Sequence, residues 1–176
     1  MREIKVDQHI RLKEIGLEDV EAIFKTIDGE REYLSEWLPF VEETTDISYT
    51  QAYVQSVIDT ESKELICVIF YKNNLVGLVG TKDTDFGNRK TEIGYWLSET
   101  YQHKGIITKS CNALIQYAFN ELDMNRIQIK AATGNYKSQR VAERLGFQRE
   151  GIEREGELHA GGFVDLIVFS LLRKEF

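Results

Sequence analysis

The sequence predicts a mixed α/β fold, a sheet of mixed strand direction with helices on both faces, carried by a single domain over residues 1–176. Three observations point there. Segments of period-2 and period-3.6 hydrophobicity follow one another in the order β-α-α-α-β-β-β-α-β-α-β-β. The unit from Glu92 to Ala132 reads strand, loop, helix, strand, and its right-handed crossover makes those strands parallel. No repeat, low-complexity tract or linker interrupts a chain of 176 residues, which is long enough for one well-buried core and short for two.

Each element has its own signal. Ile10-Arg11-Leu12-Lys13 alternates apolar and polar, as a half-buried strand does. Asp19 precedes the helical stripe Val20, Ile23, Phe24 and Ile27, which stops near Asp28-Gly29. Glu30 to Phe40 is less regular and carries Tyr33, Leu34, Trp37, Leu38 and Phe40 around Pro39. Ser48-x-x-Gln51 has the form of a capping box that opens a helix along Val54, Val57 and Ile58. Leu65 to Tyr71 predicts a buried strand, Asn73-Asn74 a tight turn tolerant of positive φ, and Leu75 to Gly80 the returning strand. Asp83 to Asn88 reads as a polar loop before the strand that ends at Leu97.

The next helix puts Ile107, Cys111, Leu114, Ile115, Ala118, Phe119 and Leu122 on one face. Arg126 to Ala131 alternates as a strand, and Ser138 to Leu145 forms a short helix with Gly146 at its C-terminal cap. Phe147 begins a strand that fades into the polar stretch Arg154 to Gly162. Phe163 to Leu172 is a near-continuous apolar run, expected of a central strand.

Composition narrows the function classes. Hydrophobic residues make up 42% and charged residues 29%, the balance of a globular protein. A net charge of −7 argues against general nucleic-acid binding, which needs a basic face. Cys67 and Cys111 fall in apolar segments and read as buried thiols, and Cys111 has no patterned histidine partner that would make it a nucleophile. The start, Met1 to Asp7, has no apolar signal region, and Leu65 to Tyr71 falls far short of the ~20 residues of a membrane helix. The expectation is a cytoplasmic protein with no membrane partner. His9, His103 and His159 lack metal-ligand spacing, so no metal site is expected.

One loop differs from the other connections. Gln102-His103-Lys104-Gly105-Ile106-Ile107-Thr108 joins a strand to the start of an amphipathic helix. The first N–H groups of a helix lack internal partners and sit at its positive end, which suits an anion. Gly105 permits close backbone approach, and His103, Lys104 and Lys109 add positive charge. Taken alone, the loop is more safely read as an ordinary strand–helix link whose glycine eases a turn. It matches neither G-x-x-x-x-G-K-[ST] nor G-x-G-x-x-G.

The residues C-terminal to this loop are more specific. Asn135-x-x-Ser138, Arg144-Leu145-Gly146-Phe147 and Glu150-Gly151 come after it in order. Trp37-Leu38-Pro39-Phe40, Ile93-Gly94-Tyr95-Trp96, Tyr117-Ala118-Phe119, Gly162 to Asp165 and Ser170 to Leu172 add to the pattern. Together these resemble the GCN5-related N-acetyltransferase (GNAT) family over nearly the whole chain. Within it the resemblance is to the Rim type, which acetylates the N-terminal amine of ribosomal proteins. One departure is Ile107, which stands where the family's Q/R-x-x-G-x-G/A loop has a second small residue; Rim-type members often carry a larger apolar residue there.

The resemblance implies a mostly antiparallel sheet with a central parallel pair, and acetyl-CoA as acyl donor. It implies that the backbone of Gln102, His103, Lys104, Gly105, Ile106, Ile107 and Thr108 holds the pyrophosphate. It also has the parallel strands part after Leu97, with an amide near Leu97 facing the thioester carbonyl. Asn135 would bond the cofactor arm, although asparagine before a helix is also an ordinary turn residue. Ser138 would act as general acid, although serine is also a favoured N-cap. Glu157, ten residues after Phe147, would be the general base, with Glu92 in reserve; Glu153, Glu155 and Glu157 read equally well as solvated charges. Tyr33, Trp37 and Phe40 would wall the acceptor pocket or simply pack the core. The implied acceptor is a protein N-terminus, ribosomal by the Rim likeness. The other readings are a small amine (polyamine, amino acid or aminoglycoside) and a non-catalytic acyl-CoA-binding module. A monomer or homodimer is expected.

Overall fold

The computed structural model describes residues 2–60 and 64–176. Its strands are β1 (Glu3–Lys5), β2 (Ile10–Glu14), β3 (Ile66–Tyr71), β4 (Asn74–Asp85), β5 (Lys90–Leu97), β6 (Arg126–Ala132), β7 (Gln148–His159) and β8 (Gly162–Leu172). They form one eight-stranded sheet in the order β1-β2-β3-β4-β5-β6-β8-β7. Neighbours are antiparallel except β5 and β6, which run parallel. The helices are α1 (Val20–Gly29), α2 (Arg31–Ser35), α3 (Phe40–Glu43), α4 (Ile47–Asp59), α5 (Ile106–Asn120) and α6 (Tyr136–Arg144).

Strand alternation sorts the core into two layers. Cys67, Ile69, Ile93, Ile127 and Ile129 face α5, where Cys111, Leu114, Ile115, Ala118 and Phe119 pack, and α6 adds Val141 and Ala142. Val68, Leu78 and Trp96 face the other way, against Ile23 and Ile27 of α1, Leu34 of α2, Val41 of α3 and Val54 of α4. Each fully buried Leu, Ile or Phe contributes roughly 1.5–3 kcal/mol, so the stripe on α5 holds that helix firmly on the sheet. Both free cysteines are buried there, and burial pushes the Cys67 thiol up to about 12. Among the described residues no helix is long and apolar enough to cross a membrane.

Several boundaries differ from the sequence reading. The cap of α4 is Asp46, whose carboxylate accepts from the Ser48 amide at 2.7 Å, so Ser48 lies inside the helix and the capping-box reading fails. Positive φ falls at Lys72 and Asn73, one residue earlier than expected, and β4 starts at Asn74. β4 also runs on to Asp85, through residues read as loop. β1 is too short for any periodic signal. α6 begins at Tyr136, capped by Asn135. β7 does not fade at Arg154 but continues to His159 as an edge strand, whose many exposed positions explain its polar sequence. β8 lies between β6 and β7, an interior strand as its apolar run requires.

The site is positioned by an interrupted strand pairing. β5 pairs with β6 only at Lys90↔Arg126, Thr91↔Ile127 and Glu92↔Gln128. Beyond that point β5 follows β4 as far as Gly77↔Leu97, while β6 follows β8 as far as Ala132↔Leu166. Each strand keeps its antiparallel partner, and the parallel pair opens between the two halves of the sheet. The parting therefore starts after Glu92, five residues before the expected Leu97. Gly77 makes the close β4–β5 contact possible: a Cβ there would lie 2.1 Å from the Trp96 carbonyl oxygen.

Candidate active site

The gap between β5 and β6 is a cleft of about 1520 Å³. Its walls bring together most of the residues picked out in the sequence: Tyr33, Trp37, Phe40, Leu97, Gln102, His103, Gly105, Ile106, Ile107, Thr108, Asn135, Ser138 and Glu157. Lys104 is the exception. Its side chain turns back to the Thr100 carbonyl at 2.7 Å and lies over the Tyr101 ring.

At one end of the cleft is the start of α5. Gly105 is its N-cap with φ +71° and supplies no side-chain bond, and His103 is also left-handed at φ +60°. Among the described residues the Ile106, Ile107 and Thr108 amides have no acceptor, so an uncapped helix terminus faces the cleft. That terminus fits a phosphate group, as orphan N–H donors and the helix dipole both favour an anion. Ile107, in the place of the small residue, is 9% exposed and packs into the core layer under α5. Lys109, read as part of the basic loop, has its ammonium on Asp7 at 2.7 Å. Together with the His9 amide it holds the Asp7 carboxyl at about 2.

Loop and helices are tied across the cleft mouth. The Gln102 amide donates to the Tyr33 hydroxyl, and Lys137 donates to Gln102 Oε1 at 3.1 Å while lying over the Tyr33 ring. Glu30, just after α1, accepts from the Ser98 hydroxyl and from the Glu99 amide at 2.7 Å, which fixes the approach to the loop. Burial, with Glu99 and Glu30 nearby, raises the Tyr33 phenol above its ordinary value. Lys137, Arg140 and Arg144 of α6 also line the cleft, and the sequence reading missed them. Their spacing of three and four residues was the available signal, but it reads as a solvated face.

The far wall carries the ionisable groups. Asn135 Oδ1 accepts from the Ser138 amide at 3.1 Å, so the asparagine is the helix cap and the serine is not. That leaves the Ser138 hydroxyl free of capping, and it lies 2.9 Å from the Tyr95 hydroxyl. Tyr95 belongs to the Ile93-Gly94-Tyr95-Trp96 motif, which sequence reasoning noted without giving the tyrosine a role. Glu157 projects from β7 with Oε2 2.7 Å from His159 Nε2, and its side chain is 40% exposed. Glu92 is 7% exposed, with its oxygens on Lys82 at 2.9 Å and Lys130 at 3.8 Å. Lys130 reaches on to Glu153 at 2.7 Å, and that bond raises its own proton affinity against the opposing effect of burial. Glu92 is thus engaged by ammonium groups on both sides, whereas Glu157 Oε1 has no partner among the described residues.

Aromatic rings from the α2–α4 region line another side of the cleft. Phe40 is 42% exposed, and Tyr33 and Trp37 are only half-buried, so none of the three is plain core. Tyr49 and Tyr53 join them from α4, 50% and 44% exposed. These two were also missed, although their spacing of four puts them on one helix face.

An opened parallel pair, with an uncapped helix terminus at its mouth and a carboxylate and a hydroxyl on its walls, is the arrangement of an acyltransferase that uses a phosphate-bearing donor. Residues 9–148 match the acetyltransferase (GNAT) domain, and the chain belongs to the GNAT family of acetyl-CoA-dependent N-acetyltransferases. YdaF of Bacillus subtilis (strain 168), a candidate ribosomal N-acetyltransferase, is 36% identical over 178 aligned positions, covering 98% of this chain and 96% of the relative. The ribosomal-protein-serine acetyltransferase of Escherichia coli (strain K12) is 27% identical, covering 95% of this chain and 94% of its own. Among solved structures, the microcin C7 self-immunity acetyltransferase MccE in complex with acetyl-CoA and AMP superposes with a TM-score of 0.90 at 31% identity, over 96% and 95% of the two chains.

Proposed function

We propose that this enzyme moves the acetyl group of acetyl-CoA to the N-terminal α-amine of a protein, with ribosomal proteins as the acceptor class. The observation that carries the reading is that Glu157 and Ser138 line the same cleft as the uncapped start of α5. The names of the Bacillus subtilis and Escherichia coli relatives support the acceptor class.

The division of labour follows from the residues. The backbone from Gln102 to Thr108 binds the pyrophosphate at the start of α5. The edge of β5 from Ile93 to Leu97, which β6 no longer pairs, offers backbone groups to the pantetheine arm, and Asn135 offers the amide nitrogen that capping leaves free. An amide near Leu97 donates to the thioester oxygen, a type of contact typically worth about 3–4 kcal/mol. Glu157 takes the proton of the attacking amine; an α-amine has a pKa of about 7.7–8, so a carboxylate acting directly or through water suffices. Ser138 gives its proton to the departing sulfur. Tyr33, Trp37 and Phe40 shape the acceptor entrance. The single-domain organisation over 1–176 belongs to the same reading.

The test is to incubate purified protein with acetyl-CoA and either Ser- or Ala-starting peptides or spermidine, and to follow intact masses. A gain of one acetyl group at the peptide α-amine is expected. Brisk acetylation of spermidine with untouched peptides would replace the protein acceptor by a small amine.

A further inference from the structure

We propose that Tyr95 is a positioning residue for the proton-donating hydroxyl of Ser138, an inference that rests on the acid role proposed above. Strand alternation sends Tyr95 to the same face of β5 as Ile93 and Leu97, toward α5 and α6. Its hydroxyl meets Ser138 of α6 twice, at 2.9 Å from Oγ and 3.3 Å from the carbonyl oxygen. The bond crosses the cleft beyond Glu92↔Gln128, where no backbone pairing joins β5 to β6.

The hydrogen count gives the bond its meaning. A serine hydroxyl has one proton to give and two lone pairs to offer. The Ser138 backbone amide already has Asn135 Oδ1 as acceptor, so the hydroxyl is not needed as a cap. We assign the donor in the shorter contact to Tyr95, which leaves the serine proton to point into the cleft. Burial, with the Cys111 thiol nearby, keeps the Tyr95 phenol protonated well beyond its ordinary range, so it persists as a donor. In the transfer, the amine nitrogen forms its bond to the acetyl carbon and the carbon–sulfur bond breaks, its electron pair staying on sulfur. The Ser138 proton moves to that sulfur. The serine oxygen, stabilised meanwhile by the Tyr95 proton, recovers a proton from solvent water. Without Tyr95 the hydroxyl is free to rotate away from the sulfur and its oxygen bears developing charge unaided.

The experiment compares Tyr95→Phe, Ser138→Ala and the double variant with wild type. Each is assayed by thiol release from acetyl-CoA, with whichever of a Ser-starting peptide, an Ala-starting peptide or spermidine the wild type turns over. Tyr95→Phe keeps the ring and its packing. The expected result is a kcat about tenfold or more below wild type, with the KM for acetyl-CoA held within about twofold and no further loss when the change is made on Ser138→Ala. A wild-type kcat for Tyr95→Phe beside a slowed Ser138→Ala overturns the Tyr95 role and leaves the acid in place. An equal loss on both backgrounds also overturns it, since a merely structural tyrosine acts regardless of the serine. Ser138→Ala at the wild-type rate removes the acid role and the inference together. Should Tyr95→Phe unfold, Tyr95→Met carries the same comparison, because its flexible apolar side chain fills irregular core space.

Discussion

Gly105 separates what the chain needs to fold from what it needs to bind. Its φ of +71° is left-handed, and a Cβ built there meets nothing within 4 Å. Gly105→Ala therefore brings no clash, only the backbone cost of an L-residue in that region, roughly 1–2 kcal/mol. For a chain of this size each kcal/mol lowers Tm by about 2–4 °C, so a drop of about 2–8 °C is expected. Gly105→Glu has the same backbone cost, but its carboxylate sits at the positive end of α5, which returns about 0.3–1 kcal/mol. The glutamate variant should thus be no less stable than the alanine variant. For the cofactor the order reverses. A unit charge ~5 Å from each of two phosphate charges, at an effective dielectric of ~40, repels by roughly 3 kcal/mol in all, or about a hundredfold in Kd. Gly105→Ala should lose less than about tenfold. Calorimetric titration with acetyl-CoA, beside thermal unfolding of the same samples, reads both quantities. The defect of the glutamate variant should shrink as KCl is raised, because salt screens exposed charge. A stable Gly105→Glu that binds acetyl-CoA like wild type at low salt would show that no phosphate lies at the start of α5.

Other expectations rest on the same geometry. Glu157→Gln should lower kcat by about a hundredfold while acetyl-CoA affinity is spared; unchanged turnover across pH would remove the carboxylate from the reaction. Gly77→Ala should cost at least as much as Gly105→Ala, toward the upper end of the roughly 1–3 kcal/mol or more of overpacking, because its Cβ would lie 2.1 Å from a backbone oxygen; a melting temperature for Gly77→Ala above that of Gly105→Ala would contradict the tight β4–β5 contact. Glu150 is held at about 2, against its ordinary 4.5, by its hydrogen bonds with Arg126 and then by the Ser170 hydroxyl, with burial opposing. A lowered folded value means that its contribution is complete above pH 4.5 and is lost as pH falls toward 2. With the side chain 42% exposed, solvent screening leaves about 1 kcal/mol, so wild type and Glu150→Gln should differ by that amount in denaturant unfolding at neutral pH and converge in acid.

The sequence made the α5 unit legible because its signals are local. A strand, a glycine loop and an apolar stripe from Ile107 to Leu122 lie next to one another, and the crossover rule supplies the parallel pair. What escaped depends on partners distant in the chain. The point where β5 and β6 part is set by how far each follows β4 and β8, and no residue of the pair itself announces it. Tyr95 and Ser138 are 43 positions apart, so their contact has no sequence spacing to betray it. The second half of β7, from Arg154 on, faded into a polar stretch because an edge strand can be polar on most positions, and a polar strand loses the alternation by which strands are recognised. Asp46 and Ser48 are both good caps two residues apart, and the backbone chose the earlier one. In the site, Glu157 was legible only through family likeness, since three glutamates in a polar run offer no internal reason to prefer one. Lys137, Arg140 and Arg144 were hidden by the opposite problem, a basic stripe with too ordinary an appearance.

The early parting of β5 from β6 also bears on how long the protein survives. Backbone from Ile93 to Leu97 stops short of completing the sheet with β6, and a metabolite that lies along it acts as a missing strand. Occupancy then adds RT ln(1 + [L]/Kd) to the resistance against unfolding, about 2.7 kcal/mol at a hundredfold excess over Kd. Resistance of the purified protein to protease would consequently rise with added acetyl-CoA or CoA.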